Sequence, residues 1–168
     1  MSTIASTSPS NRNSLLRLSV IGGLVIGILH LVVQAWIVFI LIAKLAPSFM
    51  IGAQYIASGV MGDAAYTGGF ATALLGVILE VLMTIIIAGI FIFSADRIPL
   101  LRRYIIPGSL LYGFGVFIVM NFVVLPLSAA AVSPPPPMWL LIEIILEHML
   151  LIGLPLGILV QRNANANK

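Results

Sequence analysis

Four long apolar runs, each broken by only one to three polar side chains, set the terms for this chain. They are Ser19–Ala43, Gly69–Phe93, Ile105–Leu127 and Met138–Val160. At 1.5 Å of rise per residue, each is long enough as an α-helix to cross roughly 30 Å of hydrocarbon. A β-barrel would need many alternating segments of about ten residues instead. The reading is therefore all-α: an integral membrane four-helix bundle. Composition agrees, because 61% of residues are hydrophobic and 8% charged, against about 25% charged in soluble domains. With a mean hydropathy of +1.19, the side chains suit lipid better than water.

The segments between the runs give the organisation. Residues 1–18 read as a flexible tail, rich in Ser, Thr and Asn at its start, and 161–168 as a second polar tail. Neither a signal-peptide cleavage site nor a lipidation motif is evident. Ala95–Tyr104 is a short charged turn containing Pro99. Ser128–Pro137 is uncharged and ends in four prolines, which favour a stiff extended segment. Lys44–Gly68 is only partly polar. Its Tyr55–Gly62 stretch suits a short segment in the membrane interface, with a re-entrant turn as the alternative.

Basic residues set the orientation. Arg12, Arg17, Arg97, Arg102, Arg103, Arg162 and Lys168 fall on one side of a four-crossing chain, and Lys44 alone falls on the other. This bias places both termini in the cytoplasm. Net charge is +3, but its placement in loops and tails speaks for topology, not for nucleic-acid binding. The chain has no cysteine, which excludes disulfides, iron–sulfur ligation and cysteine zinc sites.

The helices carry stripes. Gly23, Gly27, His30 and Gln34 follow the spacing of one helical face, as do Gly69, Ala73, Gly76 and Glu80. On the fourth run Glu143, Glu147, Leu150, Gly153 and Gly157 align. On the third, Gly113 and Asn121 share a face, with the bulky Phe117 between them. Small residues let membrane helices approach and polar ones seek partners away from lipid, so these stripes should face one another. Pro155 should kink the fourth helix.

His30, Glu80, Glu147 and His148 fall near mid-span on three different helices, and Gln34, Asn121 and Glu143 lie close by. An ionisable group at that depth costs about 2.5–3.5 kcal/mol on insertion scales. Three uses are open. The cluster is a structural clamp that fixes which faces meet, in a structural or accessory membrane protein. Or it is a proton- or cation-conducting path, in a small transporter acting as an oligomer. Or it binds metal or haem through His30, His148 and a carboxylate. The Glu-x-x-His spacing of bundle di-metal sites is missing, and Glu147 and His148, being adjacent, point about 100° apart on an ideal helix. No nucleophile elbow, phosphate loop or H-E-x-x-H motif is present. No cofactor is assigned. The expected partners are the lipid bilayer and a second copy or another membrane protein.

The segments IPLLRR, Leu111–Ser128 (LYGFGVFIVMNFVVLPLS) and EHMLLIGLP resemble small four-helix membrane proteins of unknown function found in bacteria. That resemblance implies the four-helix fold and a bacterial inner membrane as the expected location, and brings no activity and no catalytic residue.

Overall fold

In a computed structural model the chain is described over residues 11–42, 50–130 and 137–166, the side chains of 34–42 excepted. Expectations for residues 1–10, Lys44, Pro134 to Pro136, Lys168 and the Gln34 side chain lie outside these. The described residues are helical and contain no strand. We label the helices α1 (Arg12–Ile42), α2 (Met50–Met61), α3 (Gly69–Arg97) and α4 (Pro99–Arg103), followed by α5 (Ile105–Leu127) and α6 (Met138–Ala166). Helices α1, α3, α5 and α6 are long and apolar enough to cross a membrane.

Two expected tails are shorter than the sequence suggested. Helix α1 starts at Arg12, ahead of Ser19, because nothing between them breaks a helix and Leu15 is buried against the core. Helix α6 runs on through the polar QRNANA stretch to Ala166 for want of a breaker.

These four long helices form two antiparallel pairs. In the α1–α3 pair, a Cβ on Gly23 would collide with the Ile85 backbone, and one on Gly27 with the Thr84 hydroxyl. In the α5–α6 pair, Gly113 abuts the His148 carbonyl, Gly153 the Ser109 carbonyl and Gly157 the Ser109 side chain. The pairs join through a dry core that includes Leu15 and Ile26 of α1, Ile87, Phe91 and Ile92 of α3, Val116 of α5 and Ile152 and Leu156 of α6. The Tyr112 hydroxyl ties them further by donating to the Ile87 carbonyl at 2.7 Å.

Residues 50–61 make a helix that packs antiparallel along the first half of α3. The Ala53 carbonyl lies against Gly76. The Gln54 amide donates to the Gly69 carbonyl at 3.1 Å and to the Thr72 hydroxyl at 3.3 Å. The stripe residue Gly76 therefore receives α2 in place of one of the four long helices. The reversal between the two helices uses glycine twice, since Gly62 (φ 60°) and Gly69 (φ 57°) both have left-handed backbones. A Cβ on Gly69 would meet nothing, so it is a turn residue and not the close-packing residue its place on the stripe suggested. The far end of α2 is fixed to the end of α5, where the Ala129 amide donates to the Gly59 carbonyl at 2.8 Å.

Prolines shape α5 and α6. Met120–Val124 and His148–Gly153 are π-helical, and each is followed within two residues by a proline, Pro126 or Pro155. Proline has no N–H and its ring crowds the carbonyl four residues back. A wider turn accommodates that carbonyl, so the expected kink at Pro155 takes the form of a π segment.

Candidate functional site

Helix packing assembles the site. Gly27 lets α1 lie close on α3, which brings His30, one turn on, beside Glu80. His30 Nδ1 is 2.7 Å from Glu80 Oε1. On the ring's other side, Nε2 is 3.6 Å from Glu147 Oε1 of α6. The imidazole thus bridges two carboxylates from two other helices. The 2.7 Å approach is short but off the N–H axis, so His30 Nδ1 has no aligned hydrogen bond, and Glu80 Oε2 and Glu147 Oε1 are also buried without a partner. Glu80 is the deepest member, at 1% exposed.

His148 sits at the first position of the π segment and is buried. Its Nδ1–H donates to the Ile144 carbonyl at 2.8 Å. A carbonyl only accepts, so this contact fixes the proton on Nδ1 and leaves Nε2 as an acceptor in the neutral ring. The His148 ring meets His30 edge to face, with centroids 6.1 Å apart, and meets Phe117 at 5.8 Å. Phe117 is therefore on the buried face of α5. The adjacent residues Glu147 and His148 both reach His30, because a carboxylate on a flexible stem and an imidazole at the mouth of a π turn cover the angle that separates them on an ideal helix.

The other expected members are placed differently. Glu143, one turn from Glu147, is half-buried and within electrostatic range of His30, with which it forms no ion pair. The Asn121 amide donates to the Phe117 carbonyl of its own helix at 3.0 Å. It serves the π segment of α5 and not the cluster. Among the described residues no three His, Asp or Glu side chains converge to hold a metal ion. The edge-to-face contact of His30 and His148 leaves no slot for a porphyrin between them.

Sequence reasoning missed a second polar set. Gln54, Ser58 and Thr72 are buried, and the Thr72 hydroxyl donates to the Ala65 carbonyl at 2.6 Å. The available signal was the single amide in the otherwise apolar Met50–Met61 stretch, with Ser58 one turn later.

No family model, curated protein or solved structure matches this chain.

Proposed function

We propose that this chain is a multi-pass protein of a bacterial plasma membrane, with both termini cytoplasmic, that binds and passes a proton through Glu147, His30 and Glu80 at mid-membrane depth. The observation that carries this reading is one imidazole set between two buried carboxylates, with its nitrogens 2.7 Å from Glu80 Oε1 and 3.6 Å from Glu147 Oε1, while Glu80 Oε2 is buried without a hydrogen bond. A clamp that only joins helices has no use for orphaned lone pairs, and buried polar atoms in native proteins are normally satisfied. Nor do the magnitudes favour a clamp. Interhelical polar bonds in membranes average about 0.6 kcal/mol, well below the cost of about 2.5–3.5 kcal/mol for an ionisable group at that depth.

The chemistry is a relay. Protonated Glu147 gives its proton to His30 Nε2 while His30 Nδ1–H gives its proton to Glu80 Oε1. One proton leaves Glu147, one arrives on Glu80, and the neutral ring ends as the other tautomer. The 3.6 Å contact closes to hydrogen-bond length for the first transfer, and a small turn of the imidazole aligns Nδ1–H with Glu80 Oε1 for the second. His148 keeps its own Nδ1 proton on Ile144 and packs against the His30 ring, which limits how that ring turns.

The test uses liposomes that contain a pH-sensitive dye and carry a potassium diffusion potential set with valinomycin. The protein should accelerate proton entry over protein-free liposomes. Glu80→Gln should slow that entry by about tenfold or more, while its melting in detergent stays near wild type. A wild-type rate no faster than empty liposomes, or an unchanged rate in Glu80→Gln, overturns the reading.

A further inference from the structure

At the end of the bundle that carries the termini, apolar packing and positive charge meet. Leu15 of α1, Ala95 of α3 and Ile105 of α5 are buried in the core, and Leu101 of α4 and Val160 of α6 pack against the same cluster. Arginines stand within three residues of these along the chain: Arg12 and Arg17 on either side of Leu15, Arg97 after Ala95, Arg103 before Ile105 and Arg162 after Val160, all exposed. Of the chain's five acidic residues, only Asp96 lies at this end, and its carboxylate takes the Arg102 guanidinium at 2.9 Å. Among the described residues the remaining arginines have no acidic partner. The phosphates of an anionic membrane surface supply one.

The turn from α3 to α5 gathers this charge most closely. Pro99 favours an extended Ile98 (φ −104°, ψ 103°), which ends α3. Arg102 is fixed at the base of the turn, where its guanidinium donates to the Asp96 carboxylate at 2.9 Å and to the Asp96 carbonyl at 3.1 Å. Arg97 and Arg103 flank the turn and form no ion pair or side-chain hydrogen bond among the described residues. Arg103 lies over the Tyr104 ring, 5.4 Å from its centroid. A guanidinium stacked on an aromatic face keeps N–H groups at its edge for a phosphate. Between the two arginines, Ile98 and Leu100 are 47% and 68% exposed. Exposed apolar side chains beside unpaired guanidiniums match a ligand with an anionic head and hydrocarbon tails.

We infer that this turn binds an anionic phospholipid, with Arg97 and Arg103 on its phosphate and Ile98 and Leu100 against its acyl chains. The inference rests on the membrane reading proposed above and is independent of the proton relay, whose residues lie at mid-span. Arg102, its charge spent on Asp96, holds the turn in shape.

Leu100→Trp places a reporter in the turn, in a chain that also carries Trp36→Phe and Trp139→Phe. The protein is reconstituted in phosphatidylcholine vesicles with rising fractions of dibrominated phosphatidylglycerol or dibrominated phosphatidylcholine, which quench indole fluorescence on contact. At low salt, half-maximal quenching should need about fivefold less of the phosphatidylglycerol. Arg97→Gln together with Arg103→Gln should bring the two lipids level, while Asp96→Asn, which releases Arg102, should widen the preference. Glycerol 3-phosphate added at constant ionic strength should not relieve the quenching, because it lacks the chains. Equal quenching by the two lipids, an unchanged preference in the double glutamine variant, or relief by glycerol 3-phosphate overturns the inference. If the double variant does not fold, an unchanged or smaller preference in Asp96→Asn overturns it instead.

Discussion

At the scale of residues, His30 is the pivot, because among the described residues it touches both Glu80 and Glu147. Stability couplings should follow the distances. A double-mutant cycle between His30 and Glu80, in contact at 2.7 Å, should give a coupling of about 1 kcal/mol or more. One between His148 and Glu80 should be near zero, since His148 spends its Nδ1 proton on Ile144. The measurement is equilibrium unfolding in detergent, and a larger His148 coupling would show that the wrong histidine holds the acid. Close approach is the other residue-scale effect. Gly76→Leu puts a side chain where the Ala53 carbonyl lies and should cost about 1–3 kcal/mol. Leu74→Ala removes a side chain that is 48% exposed and should cost clearly less. Equal losses would mean that α2 does not pack on Gly76.

The π segments and the α2–α3 hairpin belong to the scale of elements. Pro155 leaves the Leu151 carbonyl without the donor an α-helix would supply, and the π turn His148–Gly153 absorbs the misfit. Pro155→Ala restores that donor, so α6 should relax toward regular α-helix and turn Glu147 and His148 away from His30. Helix content by circular dichroism should stay the same while proton entry falls severalfold. Unchanged proton entry would show that the π turn does not set the site. In the hairpin, Gly62 holds a left-handed backbone that costs other residues about 1–2 kcal/mol. Gly62→Ala should lower stability by that amount, and a neutral result would mean that the reversal does not need this conformation.

For the whole molecule the open question is which side each end faces. Cysteines at Ser14, ahead of the first buried turn of α1, and at Ala129, between α5 and α6, should be labelled from opposite sides of the membrane. Labelling of both from one side would break the four-crossing topology. The basic residues cluster at the end that carries Ser14. There Arg102 pairs with Asp96 at 2.9 Å and Arg103 lies over the Tyr104 ring. Both contacts fit a short turn in a polar interface.

The sequence by itself determined which helices are long and apolar enough to cross a membrane, since length and hydropathy act through each segment's own transfer to lipid and need no partner. It also marked Gly23, Gly27, Gly113, Gly153 and Gly157 as packing faces, because a missing side chain on a helix stripe is visible locally. It placed His30, Glu80 and Glu147 at a common depth by counting residues. Tertiary structure decided what counting cannot reach. It paired α1 with α3 and α5 with α6, set α2 against Gly76, returned Asn121 to its own helix, and gave Gly69 a turn to make. It also brought the neighbours Glu147 and His148 to the same imidazole, against ideal helix geometry, through a π turn that begins at His148. Contacts between helices depend on rotation and separation, which a run of apolar residues leaves free, and only the mutual fit of glycine gaps, carbonyls and one imidazole fixes them.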